Sequence, residues 1–235
     1  MIRPAFLLCI LAAAPATARD RLPPDAPYCA RPGTPPIFIA PMGEPFRAAP
    51  GQAYPSAAWF TAADRNRDGR IDRAEFVADA DRFFRLLDRD HDGRLTPEEI
   101  TAYEADVAPE IALYAVRGRE MVAPGRRAPR NGESDYGGPM GAGGYSWLNI
   151  PEPVASADAD IDRVVTEREF AGAAGRRFET LDAAGNGVLT LKDLPSTPAQ
   201  RAIEGPCRPR PKPRGTDRAR EKELREEERE GRPPR

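Results

Sequence analysis

Apolar residues recur at helical spacing in two windows of the chain, and the pattern fades between them. In the first, Phe76, Ala80, Phe83, Phe84 and Leu87 share one helical face, with no glycine or proline among residues 76–87. One uninterrupted helix is predicted there. In the second window, Phe170, Ala174, Phe178 and Leu181 repeat the face more thinly, and Gly172 and Gly175 weaken it. Further helices are predicted over Ser56–Ala63, carrying Trp59 and Phe60, and over Pro97–Ala115. The second of these presents Ile100, Tyr103, Val107, Ile111 and Tyr114, with a break expected at Pro109. Residues 147–157 (WLNIPEPVASA) suit only a short, proline-interrupted helix.

The remaining stretches lack this periodicity. Residues 19–55 are proline-rich and predicted to be irregular, although Ile37, Phe38 and Ile39 form an apolar patch expected to pack on the body. Residues 116–144 are rich in glycine and arginine and read as a linker. Residues 206–235 are highly charged. A helix over 217–230 would have nothing apolar to anchor it, so a disordered tail is expected.

The two windows are copies. An offset of 94 residues lays EFVADADRFFRLLDRDHDGRLT (75–96) over EFAGAAGRRFETLDAAGNGVLT (169–190). Glu75, Phe76, Phe84, Leu87, Asp88, Gly93, Leu95 and Thr96 recur as Glu169, Phe170, Phe178, Leu181, Asp182, Gly187, Leu189 and Thr190. Each copy is flanked by acidic stretches with a regular internal order. DRNRDGRIDRAE (64–75) places Asp64, Asn66, Asp68 and Asp72 at alternating and later positions, Gly69 at the sixth and Glu75 at the twelfth. DRDHDGRLTPEE (88–99) repeats this with Asp88, Asp90, Asp92, Thr96, Gly93 and Glu99. Such oxygens, with the backbone carbonyls of Arg70 and Arg94 at the seventh position, make an all-oxygen cage for a hard cation. The sixth-position glycine permits the sharp turn.

These two stretches resemble the calcium loops of the EF-hand family. The resemblance implies an all-α fold of helix-loop-helix hands and calcium as the cofactor. Two further loops follow from the duplication. In the third, residues 158–169, the ligands would be Asp158, Asp160, Asp162, the carbonyl of Val164, Thr166 and Glu169. Arg163 stands where glycine is expected, so a weakened site is predicted. In the fourth, residues 182–193, Ala184 offers no ligand and Asp193 is shorter than the usual glutamate, so no strong site is expected.

Only Phe76–Leu87 separates loops one and two, and a straight helix of that length spans about 18 Å. Each loop is therefore expected to pair with one from the other copy, through Ile71, Leu95, Val165 and Leu189. The predicted organisation is a segment at 1–18 to be removed, a proline-rich segment at 19–55, a first two-loop unit at 56–115, the linker at 116–144, a second unit at 145–205 and the tail at 206–235. The two units would pack as one domain.

Charge and cysteine content narrow the function. Residues 208–235 carry 11 Lys/Arg against 7 Asp/Glu in a chain of net charge −2, so the body is acidic and suits cations better than nucleic acid. MIRPAFLLCILAAAPATA at the start has one arginine, an apolar run and Ala16-Thr17-Ala18, the layout of a secretory signal peptide cut after Ala18. The run is too short to cross a bilayer, and no other segment is long enough. Cys29 and Cys207 would then remain, and a disulfide between them is expected; loop closure alone would contribute roughly 5 kcal/mol.

The single histidine, His91, has no companion for nucleophilic or zinc chemistry, and no enzyme activity is expected. The stretches IFIAPMGEPFR (37–47), AWFTAADRNRDGRIDRAEF (58–76), VAPEI (107–111) and LNIPEPVASAD (148–158) resemble the secreted EF-hand domain proteins of Gram-negative bacteria, especially alphaproteobacteria. The resemblance implies an exported, periplasmic or secreted, calcium-binding protein. The alternative is a calcium-dependent interaction module that opens an apolar groove to an envelope protein.

Overall fold

The computed structural model describes residues 22–23, 26–111 and 139–209. The signal-peptide segment, most of the 116–144 linker and nearly all of the 206–235 tail lie outside the described residues.

The first helix, α1, is Ser56–Ala63, and α2 is Arg73–Leu87, continuous as its unbroken apolar face requires. Helix α3 is Pro97–Ala102, α4 is Glu167–Leu181 and α5 is Pro198–Glu204. Among the described residues, six short strands accompany them: β1 (Ile37–Ile39), β2 (Pro45–Arg47), β3 (Ile71–Asp72), β4 (Arg94–Leu95), β5 (Val165–Thr166) and β6 (Val188–Leu189). The helix-loop-helix expectation holds, while the all-α description needs correcting for these antiparallel pairs.

Helices α2, α3 and α4 start for one shared reason. Asp72, Thr96 and Thr166 accept the N–H of Glu75, Glu99 and Glu169, and each glutamate reaches back to the cap's own N–H. These reciprocal bonds satisfy amide groups that a helix N-terminus otherwise leaves unpaired.

Helices α2 and α4 pack antiparallel. The Phe76 ring lies 5.7 Å from Phe178, and Phe84 lies 5.5 Å from Phe170. Because α2 holds loops one and two apart, each pairs across the halves. Strand β3 joins β6 with Ile71 opposite Leu189, and β4 joins β5 with Leu95 opposite Val165. All four side chains are buried. Under the 94-residue offset each contact maps onto the other, so the halves meet as the copies of a two-fold dimer would. The surface charges break that symmetry. Arg73 pairs with Glu179 at 3.6 Å and Arg85 with Glu167 at 3.5 Å, although these positions are equivalent in pairs. Two like halves would face arginine with arginine.

Three segments depart from the sequence reading. The proline-rich segment contains a hairpin, β1–β2, because Phe38 and Ile39 are fully buried. Phe38 sits 4.6 Å from the Trp147 ring and 6.0 Å from Trp59. The hairpin turn passes so near Tyr103 that a Cβ on Gly43, whose φ is +109°, would stand 2.6 Å from the Tyr103 hydroxyl oxygen. The helix expected to follow loop two ends early, at Ala102. A π-helical turn, Tyr103–Val107, and a short 3-10 turn, Pro109–Ile111, replace its remainder as far as the described residues reach. Pro109 disfavours the helical conformation at Ala108. Ahead of loop three, the predicted short helix is only a 3-10 turn, Ala155–Ala157.

Cys29 and Cys207 form a disulfide with Cα atoms 4.9 Å apart, beside a parallel bridge between Tyr28 and Arg208. Among the described residues, no helix is long and apolar enough to cross a membrane.

Replacing Leu95 with alanine is expected to destabilise the protein by about 3 kcal/mol through the lost burial and the cavity left behind. Leu95 touches across the halves, so Leu95→Ala combined with Val165→Ala should cost less than the sum of the single changes. Urea denaturation of the three variants checks both statements.

Candidate metal centre

All four loops share one backbone path. The fourth and sixth residues adopt positive φ in each: Arg67 and Gly69, His91 and Gly93, Ile161 and Arg163, Gly185 and Gly187. Gly69, Gly93 and Gly187 sit at +79°, and Arg163 at +70°. The arginine thus follows the glycine path at a cost of about 1 kcal/mol.

The path is held by the first residue of each loop. Asp64, Asp88, Asp158 and Asp182 accept the sixth-position N–H at 2.9, 2.9, 2.9 and 2.8 Å. The other carboxylate oxygen takes the N–H of Asp68, Asp92, Ile161 or Asn186. Asn66, Asp90 and Asp160 turn inward at the third position onto the N–H of the fifth. The fifth residues, Asp68, Asp92 and Asp162, bind the N–H of Arg70, Arg94 and Val164, each at 2.8 Å. Loop four has Ala184 at its third position and lacks the bond made from there, while Asn186 at its fifth accepts the N–H of Val188 at 3.1 Å.

The twelfth residue closes the ring in three loops. Glu75 accepts from the N–H of Arg65 and Asn66 on one oxygen and of Asp72 on the other, all at 3.1 Å. Glu99 spans Arg89 N–H at 2.8 Å and Thr96 N–H at 2.9 Å, and the Thr96 hydroxyl adds a bond at 3.0 Å. Glu169 spans Ala159 and Thr166 N–H, both at 2.9 Å, with the Thr166 hydroxyl at 2.7 Å. In loop four, Asp193 reaches only the hydroxyl of Thr190. One methylene shorter, it does not cross to the start of the loop, and a turn rather than a helix follows.

These bonds set the charge state of the closing residues. Burial pushes the Glu99 carboxyl up, but the N–H groups of Thr96 and Arg89 and the Thr96 hydroxyl outweigh it and hold the pKa below the ordinary value. The N–H of Thr166, then its hydroxyl, then the N–H of Ala159 lower Glu169 to about 2. Both are ionised at neutral pH.

The carboxylates converge. Oxygens of Asp88, Asp90 and Glu99 lie within 4.8 Å of one another, as do those of Asp158, Asp160 and Asp162. Three like charges at that range repel, and a cation among them would relieve the repulsion. The donors are oxygen throughout, which fits calcium. In loop one Asn66 replaces one carboxylate, so its oxygens carry less charge. Of the residues expected to hold metal, the structure brings together Asp88, Asp90 and Glu99 in loop two and Asp158, Asp160 and Asp162 in loop three. The double role of the ninth and twelfth residues, as helix caps and as closing oxygens, escaped the sequence reading. Its signal was present in TPEE (96–99) and TERE (166–169), which have the spacing of a capping box.

A family model described as EF hand matches the chain at two places, residues 57–78 and 80–102. The matches take in loops one and two with the helices on either side; loops three and four lie beyond them. No curated protein matches the chain.

The folded pKa of Glu169 is depressed, so its share of stability is complete above the usual value of 4.5 and is lost as pH falls towards about 2. In metal-free protein, the Glu169 carboxyl should titrate near 2 by NMR. Glu169→Gln should remove the acid-dependent loss of stability between about pH 4.5 and 2 that this residue causes.

Proposed function

We propose that the protein is an exported EF-hand calcium-binding protein that takes up two or three calcium ions, and that the metal chiefly stabilises the fold. One observation carries the reading. Loops two and three, which gather carboxylates, are also paired with each other across the two halves, through Leu95 and Val165. A cation bound only by the folded chain stabilises it by mass action. It would also hold those strands together.

Loops one and two carry complete ligand sets and take the first two ions. Loop three keeps every oxygen, but Arg163 adds backbone strain and a positive charge, so it takes the third ion more weakly. Export to the periplasm or beyond is read from the signal-peptide layout of residues 1–18, and a disulfide suits an oxidising compartment. Calcium there need only be bound with modest affinity, and buffering or sensing of envelope calcium would accompany the structural role. No catalytic residues are assigned.

A calcium-opened groove for an envelope partner is less well supported. The chain's own hairpin already covers apolar surface of the body, with Phe38, Ile39 and Met42 in the core. Its seat is fastened by Arg82–Glu44 and by Arg47–Glu110 at 2.6 Å.

Calorimetric titration of calcium into metal-free protein is expected to show two tighter sites and one weaker site. Arg163→Gly should tighten the weakest site by about fivefold, the equivalent of the relieved strain. A count below two, or no response to Arg163→Gly, would refute the assignment.

A dye that reports exposed apolar surface should give the same signal with and without calcium. A calcium-dependent rise would favour the interaction module instead.

A further inference from the structure

The 94-residue offset allows each face of α4 to be compared with the same face of α2. On α2, the positive charge of Arg82 is met by two carboxylates. Asp79 accepts from Arg82 Nε at 3.0 Å and Nη2 at 2.7 Å, and its second oxygen takes Trp59 Nε1 at 2.9 Å. Glu44, from the hairpin turn, binds the same guanidinium, with Oε1 3.1 Å from Nη1 and Oε2 on Nη2. The next residue, Phe83, is buried with its ring 6.1 Å from Tyr103.

On α4 the equivalent positions are Ala173, Arg176 and Arg177. Alanine replaces the carboxylate of Asp79. The hairpin that supplies Glu44 occurs once, so α4 has no counterpart to it. The buried aromatic has become a second guanidinium. Arg177 is only 6% exposed, and its terminal nitrogens go to uncharged acceptors: Pro41 O at 2.9 Å, Met42 Sδ at 3.2 Å, Pro153 O at 2.7 Å and Ser156 Oγ at 2.9 Å. Among the described residues, neither Arg176 nor Arg177 forms an ion pair. The field of Glu152 favours the Arg177 charge without a hydrogen bond between them; one Glu152 oxygen accepts the N–H of Ala155, and the other is buried with no hydrogen-bond partner among the described residues. Burial pulls the Arg177 pKa down to about 10, which leaves it charged at neutral pH.

A cavity of about 420 Å³ opens over this face, with Leu148, Ile150 and Ala173 among its apolar walls and Arg176 and Arg177 among its polar residues. We propose that this cavity binds a carboxylate, that of a short aliphatic acid or an acidic side chain, in the role that Asp79 and Glu44 play on α2. A guanidinium and a carboxylate form charge-assisted bonds of fixed geometry. Arg176, the counterpart of Arg82, supplies the guanidinium fork, because the terminal N–H groups of Arg177 are already taken by Pro41, Met42, Pro153 and Ser156; Arg177 adds its positive charge beside it. The apolar walls suit a ligand whose carboxylate is attached to a few carbons.

The test is an NMR titration of the ¹⁵N-labelled full chain with sodium propionate, following the Nε–Hε signals of Arg176 and Arg177. Sodium chloride at matched ionic strength is the control. Saturable shifts at both arginines are expected, with a midpoint on the order of millimolar, as suits so small a ligand. Arg176→Gln should weaken binding by about fivefold or more while leaving the calcium titration unchanged. Ala173→Asp restores the α2 arrangement and should block propionate. Should that variant fail to fold, Arg176→Gln still decides, because Arg176 is exposed. Absence of a saturable shift in the unaltered chain, or equal binding by Arg176→Gln, would overturn the proposal. A parallel titration with acetyl-Gly-Glu-amide identifies the source within a positive result. Tighter binding than propionate points to an acidic side chain of another protein, and weaker binding to a free short acid.

Discussion

The stiffness of α2 governs the rest of the architecture. Helix α2 leaves loop one and enters loop two without a break, and its fifteen residues span about 22 Å. Neighbouring loops therefore lie at opposite ends of a rod and have no access to each other. Each loop strand still presents one apolar side chain and unpaired backbone groups, and leaving these unpaired in the interior would cost free energy. The second copy of the unit supplies the partners. Cross-pairing follows, and with it the antiparallel α2–α4 contact, the reciprocal phenylalanine pairs and the internal two-fold.

The same constraint explains why a poor metal loop persists. Loop four lacks a third-position ligand and a closing glutamate, yet it keeps Asp182, Asn186 and Gly187, which hold its backbone path, and Leu189, which meets Ile71. Loop one needs that strand whether or not loop four holds an ion. Hydrogen bonds donated by sixth-position amides to first-position aspartates are common to all four loops. The closing glutamate is a separate layer that ties the start of a loop to the helix after it. Loop four has the first layer and lacks the second, and a turn follows it where the other loops lead into a helix.

Most of this was legible because it rests on local rules. Twelve-residue spacing marked the loops, the offset copy marked the duplication, and the uninterrupted apolar face of residues 76–87 implied the cross-pairing. The N-terminal hairpin was harder to read. Phe38 and Ile39 flag burial, but the strand pairing at residues 37–47 is settled by a seat built from Trp59, Trp147 and Tyr103, which come from three distant stretches. The early end of the helix after loop two has the same origin. Tyr103 turns its hydroxyl to Gly43 O, 2.8 Å away, and the chain bends where a periodic pattern would have carried it on. Tertiary contacts overrode local preference at both places.

Duplication also explains where new chemistry can arise without loss of the fold. The α2–α4 seam and the four loop strands are shared by both copies, so changes there disturb a contact and its mirror image. The outer face of each helix bears on only one half. There α2 has been closed by Glu44 and Asp79, and α4 has diverged to Ala173, Arg176 and Arg177. Arg177 fixes the hairpin turn to the segment before loop three through four uncharged acceptors, where Phe83 at the equivalent place on α2 packs against Tyr103. Exchanging an aromatic for a guanidinium kept the joint and left a buried positive charge beside a cavity. The seam holds the copies alike while the faces away from it are free to differ, and the charge reversals Arg73/Glu167 and Arg85/Glu179 at the rim fit unlike halves to each other.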